Sequence, residues 1–439
     1  MNVTPATSSR ISSAGPGSSP VSESKPVAEG REKQNLGEGK DQVAFSPEVG
    51  ESFGSLPGVN FDAWEQPEGG FASLLDHPAT LEIPEFNFGN AQNGMLNFPL
   101  SADASPSQSE VAIYDEFAPQ GHDPAHGDEV AAVFGQATGD DPAGFQRVTS
   151  GWMQPLNPSL LLTAPGEESA QERLSAYIEA SSVLTYNSSS AALEATLNSG
   201  NDNLKVFNQS SGMTGIEQFF NFDESALVRE RNDDGSVTNT GLTPVGEVAF
   251  EALGLPTDDL GRDTMLQFAE RYLAQQQEVL ATSPAVAEAR ERHSELSAEM
   301  ADRGIAYVLS AGNNHDELAI LREAGIEVPE SADNNFLSNE HNIVVGSLDT
   351  NGTADPGDDR MAAHSSQYSE VDFLAPGQNL QAEGIDGLLT GTSYAAPNAG
   401  AQILQAMRAN PTAELNEVLE SLAQGASHPV AGWDIPVLR

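Results

Sequence analysis

The sequence predicts an α/β fold in which helices cover both faces of a parallel sheet. Short apolar segments typical of strands alternate along the chain with segments whose apolar residues recur at helical spacing. This alternation is typical of parallel sheets, because the helical connections lie on the two faces of the sheet. With 439 residues, the chain can form one large core domain and still carry a tail.

Each element follows from its own pattern. Strands are predicted at 109–115, 181–186, 204–212, 304–312, 342–348 and 371–377. Helices are predicted at 127–134, 191–200, 264–281, 284–304, 393–407 and 412–423, with glycines ending those at 200 and 304. The core domain therefore spans 106–439, and the partly helical stretch 213–283 is predicted to be an insertion on it.

The first 105 residues have a different composition. Residues 1–50 are rich in Ser, Pro and Gly and lack periodic apolar residues, so they are predicted to be disordered. Residues 51–105 add scattered aromatics but no regular element, which fits either an arm on the core domain or a propeptide-like segment. The beginning of the chain has no apolar run of the kind that marks a secretory signal peptide.

The charge excludes several classes of partner. The net charge is −46, and three of the four lysines lie within the first 40 residues. Nucleic acids and anionic membranes attract basic side chains, so neither is an expected partner. No run of about 18 apolar residues is present to span a bilayer. The chain has no cysteine, which excludes disulfides and thiolate metal sites.

Four polar residues stand where chemistry is expected in such a fold. Asp115 ends the predicted strand 109–115 and Asn313 directly follows the strand 304–312. His126 directly precedes the predicted helix 127–134, and Ser393 begins the helix 393–407. Because the carboxyl ends of parallel strands meet at one edge of the sheet, we expect these side chains to lie close together.

These residue types suit nucleophilic catalysis. The hydroxyl of Ser393 needs a base to remove its proton, and the imidazole of His126 titrates in the right range. A carboxylate such as Asp115 would hold the imidazole in the required tautomer. The Asn313 amide and the Ser393 backbone N–H would stabilise the developing oxyanion.

The segments around these residues resemble motifs of the subtilase family of serine proteases. The matching segments are VAIYDEF at Asp115, HGDEVAAVF at His126, VFNQSSG (206–212), SAGNN (310–314), VDFLAPG (371–377) and GTSYAAPNAG (391–400). The order Asp, His, Ser is also that of subtilisin.

The resemblance implies a subtilisin-like three-layer fold and a serine endopeptidase that acts on proteins or peptides without a cofactor or catalytic metal. It assigns the catalytic triad to Asp115, His126 and Ser393, and the oxyanion donor to Asn313. It also implies that Ser210, Ser211 and Gly212 line the substrate cleft.

The sequence departs from the family pattern in several places. Only ten residues separate Asp115 from His126, so the loop and strand that normally lie between them must be greatly shortened. Tyr394 stands where methionine is common, and Asn398 where histidine is common. The short segment motivates a second hypothesis, a subtilase-fold binding protein with weak or no activity. A separation of Asp115 and His126 above about 10 Å would favour it.

Other assignments compete at single positions. His122 is the rival for the base, although Gly127 and the helix after it favour His126. A metal pair of His122 with His126 is disfavoured by Pro124, which interrupts any helix that would align them. Asn314 rivals Asn313. The acidic stretch is predicted to be a solvated turn rather than a calcium loop; it contains Asp349, Asn351, Asp355, Asp358 and Asp359.

Two biological settings fit the composition. A Ser-rich N-terminus without an apolar signal resembles bacterial type III secreted effectors, which would place the enzyme in a host cell with a host protein as its substrate. Extreme acidity with few lysines instead resembles the proteins of halophiles, and a cytoplasmic location is the alternative to secretion. No pattern in the sequence indicates an oligomeric state.

Overall fold

The computed structural model describes residues 100–102, 108–118, 122, 124–150, 156–163, 168–231, 237–426, 430 and 433–439. The chain divides into two compact units, one of 1–70 with 232–237 and one of 71–231 with 238–439. Nearly all described residues belong to the second unit. The predicted disorder of residues 1–50 lies outside the described residues, as does most of the segment 51–105, for which no regular element was predicted. Residues 100–102 of that segment are described and form a short strand that pairs with residues 148–150, a regular element that the sequence pattern did not predict.

The second unit is built on a mostly parallel sheet. The strands are β1 (Leu100–Ala102), β2 (Val111–Tyr114), β3 (Gln146–Ser150), β4 (Val206–Gln209), β5 (Leu227–Arg231), β6 (Val237–Leu242), β7 (Ala306–Ser310), β8 (Ile343–Asp349), β9 (Arg360–Met361) and β10 (Val371–Pro376). The main sheet has the order β1-β3-β2-β4-β7-β8-β10, with β9 beside β8, and only β1 and β9 pair antiparallel. Strands β5 and β6 form a separate two-stranded sheet.

Helices connect the strands. They are α1 (His126–Thr138), α2 (Leu160–Thr163), α3 (Ala170–Leu197), α4 (Gly215–Ala226), α5 (Pro244–Ala252), α6 (Arg262–Thr282), α7 (Pro284–Asp302), α8 (His315–Glu323), α9 (Thr392–Ala409) and α10 (Leu415–Gly425). None of these described helices has both the length and the apolar character needed to cross a membrane.

Helices cover both faces of the sheet, which confirms the predicted α/β class. Alternate residues of a strand point to opposite faces, so Ala112 and Tyr114 belong to one core and Val111 and Ile113 to the other. The first core packs against α3 and α7, and the second against α1, α9 and α10. Strands β2, β4, β7 and β8 are buried at every position, on both faces, which explains why apolar residues predominate in them taken together.

The predicted insertion 213–283 contains α4, the two-stranded sheet of β5 and β6, α5 and α6. Apolar residues of these helices form a third core with the first half of α3, and its centre is aromatic: Phe219, Phe222, Phe250, Phe268 and Tyr272. The sequence pattern predicted the helix at 264–281 but not the two-stranded sheet.

The predicted strand at 181–186 is wrong. These residues lie inside α3, a helix of 28 residues that begins with a reciprocal pair of hydrogen bonds between Ser169 and Glu172. The segment contains Val183, Thr185 and Tyr186, whose residue types are enriched in strands. In the helix, the Ser182 hydroxyl donates to the carbonyl of Ile178 at 2.9 Å, so its polar group is satisfied without leaving the helix.

A buried polar network joins α3, α7 and the sheet. The Nε2 atom of His293, on α7, lies 3.2 Å from Ser189 Oγ and 3.3 Å from the hydroxyl of Tyr307. Both hydroxyls donate to Oε1 of Gln209, the last residue of β4. The imidazole is almost fully buried, and burial lowers the pKa of His293 to about 3.

The buried histidine makes stability depend on pH. Between about pH 3 and 6.5 the unfolded chain binds a proton at His293 that the folded chain does not. The free energy of unfolding should therefore rise with pH across this window, by up to about 1.4 kcal/mol per pH unit from this group. In His293→Asn, urea unfolding at pH 4, 5 and 7 should show a weaker pH dependence than in the wild type.

The exposed His122 provides the control, because His122→Asn should retain the wild-type pH dependence. Equal pH dependence in His293→Asn and the wild type would contradict this account.

Candidate active site

Asp115 and His126 form a direct hydrogen bond. Asp115 directly follows β2 and is almost fully buried, and its backbone N–H donates to the carbonyl of Val148 on β3 at 3.1 Å. His126 is the first residue of α1, and its Nδ1 atom donates to the Asp115 carboxylate at 2.8 Å from Oδ1 and 3.0 Å from Oδ2. This bond fixes the tautomer of the neutral ring and leaves Nε2 without a proton.

The short segment between them closes on itself. The backbone N–H of Gly127 donates to the carbonyl of Glu116 at 2.7 Å, and Oδ2 of Asp128 accepts from the backbone of Ala118 and Ala125. A Cβ on Gly127 would lie 2.5 Å from the Glu116 carbonyl oxygen and 2.9 Å from the Cβ of Asp115. The start of α1 therefore reaches Asp115 only because residue 127 is a glycine.

The environment of His126 favours its protonated form. Burial lowers the pKa of His126, but the Asp115 carboxylate, with smaller contributions from Glu129 and Glu116, raises it more, so the pKa lies above the ordinary value of 6.5. The side chain remains 37% exposed. A base with these properties can take up a proton and then hold it as a stabilised imidazolium.

Ser393 lies in the first turn of α9 and is buried. Its hydroxyl donates to the carbonyl of Ser210 at 2.8 Å, and among the described residues this is the hydrogen bond that it makes, rather than one to His126. The same carbonyl accepts from the hydroxyl of Ser310 at 3.1 Å. At the beginning of a helix the backbone N–H groups point outward without helical partners, and the helix dipole favours negative charge there.

Asn313 is held beside the start of α9. Its carboxamide oxygen accepts from the backbone N–H of Thr392 at 2.7 Å and from the Thr392 hydroxyl at 3.0 Å. The side-chain NH₂ group therefore lies on the opposite arm of the carboxamide. The backbone N–H of Gly312 in turn donates to the Thr392 hydroxyl at 3.1 Å.

A glycine is required immediately before Asn313. Gly312 has φ of 116°, and a Cβ there would lie 2.5 Å from Thr214 Cγ2 and 2.7 Å from Ser366 Oγ. Any other side chain would be strained at this position, because L-residues rarely adopt such a φ. The turn from β7 into Asn313 therefore depends on this residue.

The predicted substrate segment directly follows β4. The carbonyl of Ser210 is bonded to Ser393, and the carbonyl of Ser211 accepts from the side chain of Gln209 at 2.9 Å. Gly212 faces Asn335 so closely that a Cβ would lie 2.1 Å from its Nδ2 atom. Of the three residues, Ser210 thus lies directly against the Ser393 hydroxyl, and Ser211 and Gly212 continue the chain from it.

The rival candidates occupy other positions. Asp115 is bonded to His126 and not to His122, which is exposed. Asn314 is the residue before α8, whereas the side chain of Asn313 contacts Thr392. In the acidic stretch, Asp349 pairs with Arg360 at 2.7 Å. No group of three or more His, Asp or Glu within the described ranges is arranged to hold a metal ion.

Several contacts around the site were not predicted from the sequence. His315 Nδ1 donates to Asp333 at 2.8 Å, and this bond fixes the chain just after Asn313 to the segment at 333. The hydroxyl of Tyr394 donates to the carboxylate of Glu129. Glu129 lies three residues after His126, a spacing that places the two on one helix face and could have been recognised. No sequence signal joins His315 to Asp333.

Comparison with known proteins identifies a family. The model of the Subtilase family, Peptidase_S8, matches residues 103–430, about three quarters of the chain. No curated protein matches the chain.

Solved structures similar to the chain include three proteases. A lanthipeptide protease has a TM-score of 0.33 and 15% identity, covering 72% of this chain and 79% of that one. A cold-adapted subtilisin-like serine proteinase has a TM-score of 0.31 and 14% identity, covering 73% of this chain and 84% of that one. The MycP3 protease from the type VII (ESX-3) secretion system has a TM-score of 0.30 and 15% identity, covering 74% of this chain and 75% of that one. The assignment to the subtilase family rests on the match of the family model to the sequence and not on these structures.

Gly127→Ala tests the close approach of α1 to Asp115. The added methyl group should move the start of α1, weaken the Asp115–His126 bond and lower the pKa of His126. NMR titration of the imidazole, assigned with His126→Gln, measures this change. Gly144→Ala is the matched control, because a Cβ there meets no atom within 4 Å. An unchanged His126 pKa in folded Gly127→Ala would contradict the account.

Proposed function

The chain belongs to the subtilase family, and from that premise we propose that it is a serine endopeptidase that hydrolyses peptide bonds of proteins through an acyl-enzyme. The observation that carries the proposal is the 2.8 Å hydrogen bond between His126 Nδ1 and the buried carboxylate of Asp115. A separation of Asp115 and His126 above about 10 Å would have favoured a binding protein without activity, so this contact supports the enzyme.

In the proposed reaction Ser393 is the nucleophile. Its hydroxyl turns about the Cα–Cβ bond from the Ser210 carbonyl towards Nε2 of His126, and such contacts commonly tighten only when substrate binds. As the oxygen bonds to the scissile carbonyl carbon, its proton passes to Nε2. The proton on Nδ1 of His126 remains hydrogen-bonded to the Asp115 carboxylate, which stabilises the imidazolium.

The oxyanion is stabilised by two donors. The backbone N–H of Ser393 and the side-chain NH₂ of Asn313 would donate to the tetrahedral oxygen. Thr392 holds the oxygen of that carboxamide through two hydrogen bonds, so the NH₂ group is already oriented before substrate arrives.

The intermediate then collapses. The C–N bond of the substrate breaks, the leaving amine takes the proton from His126, and an ester to Ser393 remains. Water attacks this ester with His126 again acting as the base, which releases the acid product and restores the serine.

Substrate would bind in extended form along residues 210–212. This segment continues β4 beyond the sheet edge, and its backbone can pair with a peptide by strand addition. Such pairing aligns the substrate backbone without reading its side chains, and it is the binding mode that we propose for this chain.

Labelling with a fluorophosphonate probe tests the proposal. The wild type should react, and Ser393→Ala and His126→Ala should not. Hydrolysis of unfolded casein should follow the same pattern. Asn313→Ala should keep the label but reduce turnover by roughly 100- to 1000-fold, the effect of losing one oxyanion donor.

Asn314→Ala is the matched control for the neighbouring amide, and its turnover should remain near that of the wild type. Folded wild type that neither labels nor cleaves casein would contradict the proposal and favour the binding protein.

A further inference from the structure

A second contact joins the serine helix to the histidine helix. Tyr394 directly follows Ser393, and its ring centroid lies 5.7 Å from that of His126 at an angle of 50°. The hydroxyl of Tyr394 donates to Oε2 of Glu129, on the same helix as His126. The side chain of Tyr394 is therefore in contact with two residues of α1, while its backbone belongs to α9.

We propose that Tyr394 and Glu129 act as a positioning pair for His126, in which the phenol packs against the imidazole and holds the Glu129 carboxylate where it stabilises the imidazolium. The inference rests on the proposed function and deepens it, since it assigns roles in the same reaction to two residues outside the triad.

The negative charge of Glu129 acts on the imidazole of His126. The groups that act on His126 are Asp115 at the end of β2, Glu116 in the following loop and Glu129 on α1, and all three favour the protonated ring. Asp115 is fixed by burial, whereas Glu129 is only half-buried and relies on Tyr394 for its position. A carboxylate held in this way costs less reorganisation when the imidazolium forms.

The phenol is suited to this role. Burial, with the hydrogen bond to Glu129, raises the pKa of Tyr394 far above its ordinary value, so the hydroxyl stays protonated and remains a donor. A methionine, common at this position in the family, has no such donor. The phenol therefore supplies a directed hydrogen bond that a methionine at this position could not make.

The position of the pair couples two helices. Farther along, α1 and α9 approach closely, since a Cβ on Gly400 would lie 2.9 Å from the ring of Phe134. At the catalytic end, Tyr394 and Glu129 join the first turns of the same two helices. The pair thus helps to set the relation between Ser393 on one helix and His126 on the other.

The test uses two conservative variants. Glu129→Gln keeps the shape but removes the charge, and Tyr394→Phe keeps the ring but removes the hydroxyl. Glu129→Gln should lower the pKa of His126 measured by NMR, and shift the acid limb of the pH profile of kcat to lower pH. It should reduce kcat roughly 10-fold, about 1.4 kcal/mol, with KM changed by less than about twofold.

Tyr394→Phe should reduce kcat by a smaller factor. Because the hydroxyl acts through Glu129, the double variant should have a kcat within about twofold of that of Glu129→Gln alone. Tyr177→Phe and Glu194→Gln are the controls, one losing a buried hydroxyl in the third core and the other an exposed carboxylate on α3. Both should keep the wild-type kcat and His126 pKa.

The outcomes separate this inference from the proposed function. If Glu129→Gln and Tyr394→Phe leave the His126 pKa and kcat unchanged while the wild type reacts with the probe, the positioning pair is wrong and the peptidase stands. If the wild type does not react, the proposed function fails, and the His126 titration still decides whether Glu129 acts on the imidazole.

Discussion

The site depends on the hydrogen bond between the buried carboxylate of Asp115 and the imidazole of His126. A charge buried at the end of a strand is costly unless it is paired and bonded, and here the histidine and one backbone N–H supply the partners. Only ten residues separate the pair, so the segment that connects them is short. Its closure by Gly127 and Asp128 places the first turn of α1 against the carboxylate.

The sheet brings the remaining groups to the same place. Strands β2, β4 and β7 are neighbours, and the residues that follow them are Asp115, Ser210 and Ala311. The hydroxyl of Ser393 is bonded to Ser210, and Asn313 is bonded to the residue before the serine. Residues 210 and 393 are distant in sequence, yet they are bonded because the carboxyl ends of parallel strands lie along one edge of the sheet, where α9 begins.

Much of this arrangement could be predicted because its signals are local. A strand followed by Asp115, a glycine turn before Ser393 and the Ser-Ala-Gly-Asn run at Asn313 are each contained in a few residues. The strand wrongly predicted at 181–186 shows the limit: Val183 and Thr185 favour a strand by themselves, but burial of a long helix against two cores decides otherwise.

The missed contacts are those that only the folded chain creates. His315 meets Asp333 because the chain turns back after α8. Tyr394 reaches Glu129 because α1 and α9 pack side by side. The departure at Tyr394 was visible in the sequence, but its partner was 265 residues away.

The central claim is that the Asp115-bound imidazole activates Ser393. The most direct measurement is the pH dependence of the rate of fluorophosphonate labelling, with the adduct located by mass spectrometry of peptides. The account predicts an adduct on Ser393 and a rate that rises through the pKa of His126 measured by NMR, with both pKa values moving to lower pH in Asp115→Asn. A rate independent of pH, or an adduct on another residue, would contradict it.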